Sequence, residues 1–127
     1  VKYREYRFEG KLHRRNGPTT ISYYENGQER MESYWLNNQL SRSDGPVEIE
    51  YHENGQVKRE LYWVNNQYHN ENGPARVYYF PNGNKEKEIY YHNGRKHREG
   101  GPAEIWYREN GDVEKEHHYV NGERINK

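Results

Sequence analysis

The chain has 127 residues, its 20 Lys and Arg balance 20 Asp and Glu, and it contains no cysteine. A zero net charge gives no footprint for nucleic acid or an anionic membrane, both of which need a basic face. The lack of cysteine excludes disulfides and thiolate metal sites and is compatible with a reducing compartment.

The opening stretch Val1 to Glu9, VKYREYRFE, alternates charged and aromatic residues and predicts an edge strand ending at Glu9-Gly10. Lys11 to Arg15 then leads to Gly17-Pro18, a corner where proline withholds its N–H from any ladder. The same pair returns at Gly45-Pro46, Gly73-Pro74 and Gly101-Pro102, always 28 residues apart. Such a strict period is the signature of a stacked array in which each unit buries its apolar side against its neighbours. The expected organisation is one array over 1–127. It holds a partial unit at 1–16, full units at 17–44, 45–72 and 73–100, and a nearly complete one at 101–127. A start inside a unit without an initiator methionine reads as a segment of a longer protein.

Each full unit opens with a strand such as Thr19 to Glu25, where Thr19, Ile21 and Tyr23 share one side. Val47, Ile49 and Tyr51, then Ala75, Val77 and Tyr79, then Ala103, Ile105 and Tyr107 hold those three places in later units. Asn26-Gly27, Asn54-Gly55, Asn82-Gly83 and Asn110-Gly111 follow, and predict hairpins with both turn residues at positive φ. The second strand, Gln28 to Leu36 in the first full unit, ends in an aromatic pair: Tyr34-Trp35, Tyr62-Trp63, Tyr90-Tyr91, His118-Tyr119. Parity places Trp35, Trp63, Tyr91 and Tyr119 with the Ile/Tyr core. A second turn at Asn37-Asn38, Asn65-Asn66, Asn93-Gly94 and Asn121-Gly122 returns the chain to the next corner through a segment carrying His13, His69 or His97.

No window carries helical periodicity, and Tyr, Trp, Val, Ile and Thr are strand formers. Val, Leu, Ile and Phe make up only 18 residues, so 14 Tyr and 3 Trp must supply the area of a thin aromatic core. The expected fold is all-β, an elongated single-layer antiparallel meander of about nine strands with hairpins repeating every 28 residues. No apolar run approaches the ~20 residues of a membrane-spanning helix and no leader opens the chain, so the reading is of a soluble protein of unassigned compartment.

The strings YYENGQ (Tyr23 to Gln28), YHENGQ (Tyr51 to Gln56), YFPNGN (Tyr79 to Asn84) and YRENGD (Tyr107 to Asp112) resemble MORN repeats. The closer likeness is to variant MORN repeats of the GPAxIxYYENG type, found in giant-virus repeat proteins and in bacterial proteins described as antitoxins. The resemblance implies a sheet of consecutive hairpins acting as a scaffold for protein contacts. Lipid binding, claimed for some arrays, is not carried over, because this chain lacks a basic face.

Candidate chemistry is sparse. His13, His69 and His97 occupy equivalent places about 10 Å apart, two strands at ~4.8 Å each, too far for one metal whose Zn–N bonds are ~2 Å; no metal is expected. Glu32, Glu60, Glu88 and Glu116 repeat along an open surface, where a ladder of like groups forms no pocket. The simpler reading has each Glu accept from a neighbouring Tyr hydroxyl or backbone amide. With no GxSxG or P-loop string either, no enzyme and no cofactor are expected.

The aromatics that differ between units are another matter. On the side away from Ile21 the first strands carry Ser22, Glu50, Tyr78 and Trp106, then Tyr24, His52, Phe80 and Arg108. That surface turns aromatic in the last two units. Tyr78, Phe80, Trp106, Arg108, Tyr24 and His52 are the candidate binding residues, since clustered rings with an Arg are a common composition of contact sites. A protein is the expected partner and a carbohydrate stacked on the rings the alternative; single-stranded RNA is disfavoured by the balanced charge.

Overall fold

The structure, a computed structural model, describes residues 2–125, so Val1 of the opening strand lies outside the described residues. It is all β, with no helix among those residues. In chain order the strands are β1 (Tyr3–Glu5), β2 (Arg7–Phe8), β3 (Lys11–Leu12), β4 (Thr20–Tyr23), β5 (Glu29–Ser33), β6 (Trp35–Leu36) and β7 (Gln39–Leu40). They continue with β8 (Glu48–Tyr51), β9 (Val57–Leu61), β10 (Trp63–Val64), β11 (Gln67–Tyr68), β12 (Arg76–Tyr79), β13 (Lys85–Ile89), β14 (Tyr91–His92) and β15 (Arg95–Lys96). β16 (Glu104–Tyr107), β17 (Val113–Val120) and β18 (Glu123–Ile125) complete the set.

Ten strands form one antiparallel sheet in the order β1-β4-β5-β8-β9-β12-β13-β16-β17-β18. Four two-stranded ribbons, β2-β3, β6-β7, β10-β11 and β14-β15, flank it. The predicted second strand is therefore split in the three full units, while in the last it runs unbroken as β17. After Ser33 the Tyr34 amide donates to the Val47 carbonyl of the next unit at 2.8 Å, and the chain then leaves the main sheet to form a ribbon with its own return segment. Tyr62 to Ala75 and Tyr90 to Ala103, both at 2.7 Å, repeat the bond. The residue after each Gly-Pro is the tightest point of every unit: Thr19, Ala75 and Ala103 are fully buried and Val47 is 1% exposed.

Two expectations about the hairpins are corrected. The Asn-Gly turns have only the glycine at positive φ (Gly27 at 89°), and the Asn26 side chain instead accepts the Gln28 amide at 2.9 Å. Asparagine serves here as a turn-forming acceptor, not as a left-handed residue. The turns with two successive left-handed residues are the second ones, Asn37 and Asn38 at φ 50° and 65°, which suits a tight two-residue hairpin.

The second correction is parity. At the turn Tyr23 faces Glu29, a register that alone would bring Trp35 to the Ile21 side. A bulge between Ser22 and Tyr23 restores Ile21↔Glu32 and Thr20↔Ser33. One residue of slip exchanges the faces, so Trp35, Trp63, Tyr91 and Tyr119 lie opposite Ile21. The sheet thus has an isoleucine face (Ile21, Ile49, Val77, Ile105) and a tryptophan face (Trp35, Trp63, Trp106). Both are partly covered: Ile21, Val77 and Ile105 are buried on one, Leu61 and Ile89 on the other.

The repeating polar residues hold unit to unit. Tyr51 donates its hydroxyl to Glu32 and Tyr79 to Glu60, both at 2.9 Å, and Tyr107 donates to Glu88. Glu32, Glu60 and Glu88 are thereby accounted for on the isoleucine face, while Glu116 in the last unit is exposed. Burial, followed by these bonds to carboxylates, raises the phenol pKa of Tyr51, Tyr79 and Tyr107. At each corner an arginine stacks on a tyrosine, Arg14 on Tyr6, Arg42 on Tyr34 and Arg98 on Tyr90 at 3.9 to 4.0 Å, and donates to the following proline carbonyl. Asn70 takes the place of arginine in one unit and still donates to the Pro74 carbonyl.

Candidate functional site

The register of the main sheet lines up Tyr78, Lys87, Trp106 and Lys115 in one row across β12, β13, β16 and β17 on the tryptophan face. Tyr78 and Trp106 are half-buried and stand two strands apart, about 10 Å. An open depression between them is lined by Tyr78, Glu86, Lys87 and Trp106. The Lys87 and Lys115 ammoniums come from the strands on either side of Trp106 and lie 4.7 and 4.5 Å from its ring centroid. The Trp106 indole also packs edge-on against His117, centroids 5.0 Å apart.

Arg76 borders this row. Its guanidinium donates to the Tyr78 hydroxyl and, at 3.4 Å, to that of Tyr91, and lies 5.2 Å from the Tyr68 ring. Its Nε is buried without a hydrogen-bond partner. Arg76, Lys87 and Lys115 form no ion pair among the described residues, whereas Arg59 is held by Glu50 at 2.7 Å and Lys96 by Glu104 at 2.6 Å. The Lys87 pKa is lowered, first by burial; Glu104 opposes the shift, while Lys96, Arg76 and Lys115 add to it.

The other four sequence candidates lie elsewhere. Tyr24, His52, Phe80 and Arg108 each close an Asn-Gly turn, their amides donating to the carbonyls of Gln28, Gln56, Asn84 and Asp112 at 2.8 Å. The Tyr24 hydroxyl donates to the Tyr51 carbonyl at 2.6 Å, and His52 Nε2–H to that of Tyr79 at 3.0 Å, so both side chains reach into the next unit. The structure therefore brings Tyr78 and Trp106 together and leaves the other four along the turn edge. The sequence reading missed Arg76, Lys87 and Lys115. No sequence signal could have found the lysines, because it is the bulged register seen in the structure that pairs Trp106 with Lys115 and Lys87.

The spacing argument for histidines did not foresee that His92, from the following ribbon, reaches His69. Their rings are 4.8 Å apart, and one ligand atom each of His69, Glu71 and His92 lie within 4.8 Å of one another. The hydrogen bonds define another role for His69. Its Nδ1 accepts the Asn93 amide at 3.0 Å, which places the proton on Nε2, and Nε2–H donates to Glu71 at 2.5 Å. A metal-bound imidazole needs the reverse, a bare nitrogen on the metal and an N–H directed outward. His13 and His97 make the same bond, from the Asn37 and Asn121 amides at 3.1 and 2.9 Å. The repeated histidine is a staple between ribbons.

Residues 47–65, 75–93 and 103–121 each match the family model described as MORN repeat variant. Each match runs from the buried corner residue through both main-sheet strands to the first asparagine of the second turn. No curated protein gives a match. MORN repeats are generally non-catalytic repeat modules. Three of them at the 28-residue spacing, folded into consecutive hairpins of one sheet, make this chain a MORN-like repeat protein.

Proposed function

We propose that the chain is a non-catalytic scaffold whose tryptophan face, in the units beginning at Gly73 and Gly101, binds a protein partner. The observation that carries this reading is the row Tyr78, Lys87, Trp106 and Lys115. Its two rings stand where other units have Ser22 and Glu50, so the repeat architecture does not require them. Large rings beside cations with no internal counter-charge are suited to a contact surface. Carbohydrate stacking is the less favoured alternative, because it needs an open ring face and those of Trp106 carry the two ammoniums.

Photo-crosslinking tests the reading. A photoreactive residue at Trp106 is expected to capture a discrete protein from the native source, while one at exposed Glu53 on a turn is not. A Tyr78→Ser/Trp106→Ser variant with unchanged circular dichroism is expected to lose that partner in affinity capture. Retention of the partner by this folded variant, or its replacement by a glycan in array binding, would overturn the proposal.

A further inference from the structure

Resting on that reading, we infer that the segment seated on the row Tyr78–Lys87–Trp106–Lys115 is an acidic stretch of the protein partner, its carboxylates taken by Lys87, Lys115 and Arg76. The zero net charge of the chain conceals a local imbalance. On the tryptophan face the early units carry Glu48 and Glu50, the latter holding Arg59 at 2.7 Å and Lys58 at 3.8 Å. In the later units the carboxylate of Glu104 is committed to Lys96 at 2.6 Å and His117 at 3.3 Å, which leaves the exposed Glu86 as the one carboxylate lining the depression, against three cations. Three neighbouring cations remain without a carboxylate partner among the described residues; Lys115 is exposed, while Arg76 and Lys87 are half-buried beside the phenol and indole rings. Charges so placed attract a counter-ion more strongly than freely hydrated ones do.

The same geometry disfavours single-stranded nucleic acid. Base stacking needs exposed ring faces, but Lys87 and Lys115 lie over Trp106, and the Tyr78 hydroxyl is tied to Arg76. A short acidic segment fits a patch of this extent.

The test uses a fluorescein-labelled deca-glutamate peptide and fluorescence anisotropy on the full chain. Binding is expected at low salt, falling as ionic strength rises. Lys87→Glu/Lys115→Glu is expected to weaken it by about tenfold or more, the scale of close interfacial charge pairs, and Lys87→Arg/Lys115→Arg to keep it. The control Lys11→Glu/Arg30→Glu makes the same change in net charge at exposed positions and is expected to have little effect. Should charge reversal disturb folding, Lys87→Gln/Lys115→Gln serves in its place. Absence of peptide binding, equal weakening by the control pair, or binding of deca-uridylate in preference to deca-glutamate would each overturn the inference. If crosslinking places a partner at Trp106 while the lysine variants bind the peptide normally, the protein-binding surface stands and its acidic occupant does not. Loss of both results removes the underlying reading as well.

Discussion

Ser41→His should stabilise the protein by completing the histidine staple. His13, His69 and His97 accept the amides of Asn37, Asn93 and Asn121, and Ser41 stands at the equivalent place one unit before Asn65. Asn65 has the same left-handed backbone, φ 50°, yet its amide makes no hydrogen bond among the described residues. Serine is too short to reach it. The ribbon contact just beside it is also incomplete: Asn38, Gly94 and Gly122 donate to the carbonyls of Leu12, Tyr68 and Lys96, and no such bond joins Asn66 to Leu40. A new neutral hydrogen bond is worth about 1 kcal/mol net. For a chain of this size that is a rise in melting temperature of about 3–5 °C. Hydrogen exchange by NMR provides the local readout, with Asn65 amide protection expected to rise to that of Asn37 and Asn121. An unchanged or lower melting temperature with Asn65 still exchanging fast would refute the staple as a source of stability.

Glu29 shares a hydrogen bond with Glu32, and this bond, then burial, then the Glu32 charge, pushes its pKa up to about 7. A raised carboxyl pKa favours the fold below its ordinary range, and that contribution is lost as pH rises toward 7. Glu29→Gln should therefore raise the melting temperature at pH 8 more than at pH 4, and an equal effect at both would count against the pair. Tyr79→Phe should cost about 1 kcal/mol at pH 7, because Glu60 loses its donor. The raised pKa of the ladder phenols predicts loss of parental stability above pH 10, which a melting curve flat to pH 12 would contradict. Zinc chloride at about 100 μM should leave the melting temperature within about 1 °C; a larger rise that disappears in His92→Ala would assign a metal to His69, Glu71 and His92.

Much of the fold was legible because the repeat supplies four readings of each position. Ile21, Ile49, Val77 and Ile105 identify a face, and Gly-Pro marks a corner, without knowledge of register. Register itself was not legible. A three-residue turn and a bulge each shift the pairing by one, and the bulge residues Arg30, Lys58, Glu86 and Glu114 carry no distinctive composition. Trp35 was placed on the wrong side for that reason. The Tyr–Glu ladder was readable from chemistry alone, since a repeating carboxylate beside a repeating phenol has an obvious donor. Lys87 and Lys115 were not, because exposed lysines on alternating strands are ordinary until cross-strand pairing sets them beside Trp106.

Ile105 and Trp106 are adjacent in sequence and point to opposite faces, so together they test the division between the residues that hold the array and the surface that binds. Ile105 is 7% exposed on the isoleucine face, and Ile105→Ser should cost about 2–4 kcal/mol. Trp106→Ser should remove affinity capture of the protein partner while lowering the melting temperature much less than Ile105→Ser does. If Trp106→Ser unfolds the chain as severely as Ile105→Ser, or if folded Trp106→Ser protein still captures the partner, the tryptophan face is structural and the account of its function is wrong.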